Sequence, residues 1–154
     1  MADLEFQIRP AVADDWQTIV LFNQLLAAET EDKHLDAGIL GPGVQTLLAD
    51  SKKGRYFVAC VGDRIIGQLM HTFEWSDWRN GDIWWLQSVY VHKDYRQQGV
   101  FRGLYDHVRE MAQEAPEVVG IRLYVENDNA RAQTVYNELG FEHGGYAVME
   151  RLFG

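Results

Sequence analysis

The chain has a single cysteine, Cys60, among 154 residues, so no intramolecular disulfide can form. Its neighbours in "RYFVACVG" are apolar, and it reads as a buried structural thiol. No apolar run approaches the roughly 18 residues that a membrane-spanning helix needs. The opening "MADLEFQIRP" is charged and alternating, unlike a secretory leader, so a soluble cytoplasmic protein is expected. Positive charge is scarce as well. Lys and Arg number 14 against 23 Asp and Glu, a formal net charge of −9, which argues against nucleic acid or an anionic membrane as partner. The histidines His34, His71, His92, His107 and His143 fall into no HExxH pattern, and paired cysteines are missing. No metal site is therefore expected, and each histidine reads as surface or structural. The chain also lacks a G-K-[ST] phosphate loop and a G-x-G-x-x-G after an early strand, which disfavours ATP and NAD.

What is present is a succession of short periodic segments. "LEFQIRP" alternates Leu4, Phe6 and Ile8 with polar residues, as a half-buried strand does, and stops at Pro10. Asp14 with Gln17 resembles a capping box, opening a helix that puts Trp16, Ile19, Val20, Asn23 and Leu26 near one face. "EDKHLDAGILGPG" reads as a loop, and a short helix follows through Val44, Leu47 and Leu48, ending by Gly54. Strands are expected over residues 55–61 and 64–73, joined at Gly62-Asp63, with Asn80-Gly81 reversing the chain before the apolar strand "DIWWLQSVYV". Val100, Leu104, Val108 and Met111 follow helical spacing, and Pro116 closes that segment. "GIRLYV" reads as a strand, "ENDN" leads into a helix ending at Leu139-Gly140, and "FEHGGYAVMERLF" returns as one or two strands. The order β-α-α-β-β-β-α-β-α-β-β predicts a single α+β domain over residues 1–154, a mixed sheet carrying helices on its faces.

The helix expected near Val100 begins without a cap. Gln98, Gly99, Val100, Phe101 and Arg102 include no Ser, Thr, Asp or Asn and no acid, so its first N–H groups need another partner. Arg102 also puts positive charge near the positive end of the helix dipole. Between His92 and Arg102, Lys93, Arg96 and Arg102 face Asp94 alone, a basic stretch in an acidic chain. Water can solvate such an end, and a phosphate-bearing ligand would satisfy it.

These residues resemble the signature of the GNAT superfamily of N-acetyltransferases, R/Q-x-x-G-x-G/A, read here as Arg96-Gln97-Gln98-Gly99-Val100-Phe101 after "LQSVYV". A second segment, "LYVENDNARAQTVYNELGF", is similar to the family's later motif through Leu123, Val125, Asn129, Ala132, Tyr136, Gly140 and Phe141. The layout is closest to the diamine and polyamine acetyltransferase-like members. Two positions depart from the family pattern. Phe101 stands where Gly or Ala is usual, and Gln87 stands where polyamine-acting relatives carry a glutamate base.

The resemblance implies a mixed, mostly antiparallel sheet with helices on both faces and a V-shaped splay of two strands around acetyl-CoA. Val89, Tyr90 and Val91 would line the pantetheine arm, with the backbone of Val89 and Val91 bonding it. Amides across Arg96, Gln97, Gln98, Gly99, Val100, Phe101 and Arg102 would hold the pyrophosphate. Asn129 would contact the cofactor, cap the following helix, or do both. Tyr136 would protonate the departing thiolate; it also fits a packed aromatic beside Ala132 and Leu139. Candidates for handling the amine's proton are Glu74 and, through a water, Gln87 or Ser88. Glu29, Trp75 and Asp77, with Glu31, Asp32 and Trp78 nearby, would suit a small cationic or amino-acid-like amine, or else are solvated acids beside anchoring rings. The expected activity is acetyl transfer from acetyl-CoA to a primary amine. Transfer to a protein amine, a longer acyl group, a non-catalytic acyl-CoA sensor and a site for another phosphorylated metabolite are the alternatives, and a homodimer accords with superfamily habit.

Overall fold

The structure, a computed structural model, describes residues 3–154. A first compact unit runs to Leu123 and a second covers residues 124–154.

The first unit is built on one five-stranded sheet. β1 (Gln7–Pro10), β2 (Arg55–Val61), β3 (Arg64–Ser76) and β4 (Gly81–Val91) lie side by side in chain order and pair antiparallel, and β5 (Val118–Leu123) joins β4 in parallel. The two hairpins close through left-handed backbone at Gly62, φ 58°, and Asn80, φ 50°. A parallel neighbour needs a long crossover, and the helix α3 (Val100–Glu114) supplies it between β4 and β5.

Between β1 and β2 come α1 (Trp16–Glu31) and α2 (Ala37–Ala49). The acid that organises the entry to α1 is Asp15, one residue after the expected Asp14. Its carboxylate accepts the Val12 N–H at 2.7 Å and both guanidinium nitrogens of Arg9 at 2.8 and 3.0 Å, an arrangement that holds its pKa below the usual carboxylate range. α2 takes in most of the segment read as a loop. Asp36 caps it, accepting the Gly38 N–H at 2.8 Å, and Pro42 sits inside it at the cost of one intrahelical bond. Packing overrides this weak propensity, because Val44 joins Ile19, Tyr56 and Met70 in one buried cluster, with Trp16, Leu40, Leu47 and Leu48 around it.

That cluster covers one face of the sheet, and α3 covers the other. α3 buries Val100, Leu104, Tyr105, Val108 and Ala112, a stripe at helical spacing. Gly67 lets it approach the sheet, since a Cβ there would meet Val100 Cγ1 at 2.9 Å. On the same side, fully buried His71 stacks on Trp84 with ring centroids 4.0 Å apart, and burial lowers its imidazole pKa to about 4. It is a neutral core ring at physiological pH.

The second unit holds α4 (Ala130–Glu138). The one or two closing strands expected from "FEHGGYAVMERLF" do not form, since residues 141–154 contain no strand. A strand exists only through a ladder with a neighbour, whereas alternation records just the capacity to make one. Tyr146 and Val148, the alternating residues, are 80% and 61% exposed.

Candidate functional site

β4 carries a bulge. Tyr90 stands opposite Gln68 and Gln87 opposite Met70, so β4 holds one extra residue against β3, and Ser88 absorbs it with φ 51°. A buried polar network pins this irregularity. The Gln68 side-chain amide donates to the Ser88 carbonyl at 3.0 Å and to Asn23 Oδ1 at 3.3 Å, and Asn23 donates to the Tyr56 hydroxyl at 3.0 Å. Buried amides demand such partners, so the bulge is specified from α1, β2 and β3 together. Pairing of β4 with β5 ends at Leu86 and Leu123. Beyond it, among the described residues, residues 87–91 of β4 pair within the sheet only with β3. Their other edge carries the main-chain groups of Val89 and Val91 outside any ladder.

After β4 a single turn (Lys93–Tyr95) leads into the basic stretch. Arg96 is locked: Nε donates to the Val91 carbonyl at 2.9 Å, Nη2 donates to both oxygens of Glu29 at 3.0 and 3.1 Å, and the guanidinium lies 5.3 Å from the Tyr90 ring centre. Gln98 donates to the Asp94 carbonyl at 3.2 Å, and Arg102 pairs with Asp106 at 3.1 Å one turn along α3. Both arginines of the stretch are therefore met by the protein's own carboxylates. Its backbone is a different matter. Gln97 and Gly99 both adopt left-handed conformations, φ 62° and 83°, and α3 starts at Gly99 with no side chain capping it. The Gly103 N–H makes the bond to the Gly99 carbonyl at 2.9 Å, and the amides of residues 100–102 precede it. Backbone of this kind gathers N–H groups into an anion nest, reinforced by the helix dipole. Phe101, the departure from the family pattern, stacks on Tyr105 with centroids 6.2 Å apart, along the helix that follows the nest.

In the second unit, the later motif resolves into two helix caps. Asn129 Oδ1 accepts the Ala132 N–H at 3.0 Å at the start of α4. At the far end Gly140 is left-handed, φ 95°, the Gly140 N–H bonds to the Asn137 carbonyl at 3.0 Å and the Phe141 N–H to the Tyr136 carbonyl at 2.9 Å. This is a Schellman closure, completed by the apolar contact of Phe141 with Tyr136, ring centroids 5.9 Å apart. The Gly-Phe pair of the motif thus fixes the turn that carries Tyr136. Burial raises the Tyr136 pKa above the ordinary phenol value, so the group keeps its proton near neutrality, as an acid must.

The remaining candidates sort by sheet face. Glu74 and Gln87 lie on the face that α1 and α2 cover only in part. Glu74 accepts from Trp85 Nε1 at 3.1 Å and from Arg122 Nη1 at 2.9 Å, while Gln87 donates to the Thr72 hydroxyl at 2.7 Å. Trp75 follows Glu74 and points the opposite way, 59% exposed, and Asp77 accepts the Trp78 N–H at 2.9 Å in the hairpin turn. Glu29 stands apart from these, tied to Arg96. Arg122, Trp85 and Thr72 entered no sequence expectation. The available signal was Arg122 itself, a charge in the middle of the otherwise apolar "VVGIRL".

The first unit thus presents a bulged strand followed by a helix start without a side-chain cap, and the second a helix capped at both ends. The acetyltransferase (GNAT) family profile matches residues 21–141, and the chain belongs to that family. A structure described as a possible acetyltransferase from Clostridium difficile 630 is 44% identical, covers 96% of this chain and 97% of its own, and superposes with a TM-score of 0.90. Thialysine N-epsilon-acetyltransferase from Bos taurus is 32% identical over 79 residues, which is 51% of this chain and 45% of that relative, so the match spans less than half of the curated protein. An aminoglycoside acetyltransferase from an uncultured soil metagenomic sample, solved with sisomicin, shares the fold at a TM-score of 0.77 and 14% identity over 96% of this chain and 97% of its own. Among the described residues no group of His, Cys, Asp or Glu is arranged to hold a metal, and no helix is long and apolar enough to cross a membrane.

Proposed function

We propose that this protein is an N-acetyltransferase that moves the acetyl group of acetyl-CoA to a primary amine on a small cationic or amino-acid-like acceptor. The observation that carries this reading is the start of α3, where left-handed Gln97 and Gly99 precede amides that no side chain caps. The diphosphate of coenzyme A is a doubly charged anion suited to that nest. Val89 and Val91 would bond the pantetheine arm through the edge of β4 that faces away from β3, where the Val91 carbonyl already accepts from Arg96, and Asn129 would contact the cofactor.

An alkylamine, pKa about 10, must first lose a proton to become a nucleophile. Glu74, or a water held by Gln87, would accept that proton. The amine nitrogen then attacks the thioester carbonyl carbon, the C–N bond forms and the C–S bond breaks. Tyr136 gives the departing thiolate its proton. Glu29, Trp75 and Asp77 would favour a cationic acceptor, Glu29 doing so from a position already bound to Arg96.

The test measures thiol release from acetyl-CoA against a panel of amines, with hydrolysis in the absence of amine subtracted. Amine-dependent release is expected. Coenzyme A binding in a calorimeter without any amine-dependent release would reduce the protein to a binding module.

A further inference from the structure

Gln97 is the strained point of the nest. It holds φ 62° without glycine's freedom, and a residue with a Cβ keeps left-handed backbone only where its surroundings impose it. Its two neighbours supply that constraint through their side chains. On one side, Gln98 Nε2 donates back to the Asp94 carbonyl at 3.2 Å. On the other, Arg96 is fixed at three points: the Val91 carbonyl, the Glu29 carboxylate and the face of the Tyr90 ring. Tyr90 is buried and lies in turn against buried Phe22, with ring centroids 5.1 Å apart. Glu29 and Phe22 both belong to α1, so that one helix grips the loop twice, once by charge and once through stacked rings.

This arrangement bears on what Arg96 does. A guanidinium awaiting a phosphate would present its fork free. That of Arg96 has Nε on a main-chain carbonyl and Nη2 on a carboxylate. An ion pair as exposed as this one, 44% at Arg96 and 41% at Glu29, holds little by itself. Here it is the outer part of a set that also uses main chain and an aromatic face, and the planar guanidinium meets all three in one orientation. Arg96, the residue directly before Gln97, is thus tied to both β4 and α1.

Resting on the acetyltransferase reading above, we propose that Glu29 is a positioning residue of the cofactor site: acting through Arg96, it holds Gln97 in left-handed backbone and keeps the amides that follow gathered before coenzyme A arrives. The Arg96 side chain is then a brace of the nest and not a charge on the diphosphate. Any pull that Glu29 exerts on a cationic acceptor comes in addition.

The sign of one substitution separates a brace from a phosphate ligand. Were Arg96 to contact the diphosphate, Glu29 would compete for it, and Glu29→Gln would release the guanidinium and tighten binding. For a brace, the same change loosens the nest and weakens binding. The test measures Kd for coenzyme A by calorimetry with no amine present, so that a role of Glu29 toward the acceptor cannot enter. We expect Glu29→Gln to raise Kd about threefold and Arg96→Gln about tenfold. Arg96→Lys, which keeps the charge and loses the fork, should bind no better than Arg96→Gln. The double variant should match Arg96→Gln, because the pair acts as one unit. Tighter or unchanged binding by Glu29→Gln, recovery by Arg96→Lys, or full additivity in the double variant overturns the proposal while leaving acetyl transfer intact. Should Arg96→Gln fail to fold, Glu29→Gln, a change at an exposed carboxylate, decides alone. No binding of coenzyme A by the parent would remove both readings.

Discussion

Two helices of this protein each depend on one glycine in left-handed backbone, at opposite ends. Gly99 precedes α3 and Gly140 follows α4. At Gly140 the conformation closes the helix, because the amides of Gly140 and Phe141 return to the carbonyls of Asn137 and Tyr136. At Gly99 it opens the helix, leaving the first amides ahead of the ladder with no side-chain cap. The starts differ in the same sense, since α4 has Asn129 accepting from its own first turn and α3 has nothing equivalent. A terminus that the protein satisfies itself is architecture, and one left to a ligand is a site. On the proposed function, α3 would offer backbone, and α4 a side chain held in place by backbone.

The comparison predicts where side-chain replacement matters. On α4 the contribution is the Tyr136 hydroxyl, so Tyr136→Phe should lower kcat by about 100-fold, the range of a lost general acid, while Kd for coenzyme A stays near that of the parent. Steady-state kinetics with calorimetric binding separates the two. Unchanged kcat would leave Tyr136 as a packed aromatic.

On α3 the contribution is conformational. A Cβ added at Gly99 would meet nothing within 4 Å, so Gly99→Val tests backbone freedom and room for a ligand, not internal packing. Holding a β-branched residue at positive φ costs about 1–2 kcal/mol, and Kd for coenzyme A should rise about tenfold. Binding equal to the parent would contradict the cradle. Gly140→Ala makes the same backbone change at the closed end. It should destabilise α4 by about 1 kcal/mol and reach activity only through a loosened Tyr136, lowering kcat several-fold with little change in Kd. A larger effect on Kd than on kcat there would erase the distinction between the helices.

How far the sequence could be read follows from how local each determinant is. The stretch from β4 through α3 was legible because its signals lie within a few residues, namely an apolar strand, a glycine and the absence of capping side chains. A splay of two strands was expected from the resemblance, but what pins the bulge in β4, the amide of Gln68 on the Ser88 carbonyl, joins positions 20 residues apart. The first half of α2, up to Gly43, was read as loop because Gly and Pro dominate it, while the burial of Val44 and Gly41 that stabilises the whole helix is tertiary. Glu29 looked like a free acid for an amine because its partner, Arg96, is 67 residues away. The Arg122–Glu74 pair was invisible for the same reason, its members lying 48 residues apart. Motifs record what lies close in the chain, and the pairings across the sheet appear only when separate strands come together.

Asn129 carries the smallest effect and the finest discrimination, because two roles meet in one side chain. Its Oδ1 is engaged by the Ala132 N–H, so removal in Asn129→Ala should cost about 1 kcal/mol of α4 stability, read as faster amide exchange through its first turn. Asn129→Asp keeps the accepting oxygen and adds a negative charge that suits a helix start. If Asn129 only caps α4, the Asp variant should match the parent in both exchange and coenzyme A affinity. If its amide also approaches the cofactor, the new charge faces phosphate, and affinity should drop about threefold at low salt and recover as salt screens it, with amide exchange unchanged. Affinity lost at low salt with protection retained would place the start of α4 at the ligand as well, and the open-against-closed contrast with α3 would then describe two contacts with one cofactor.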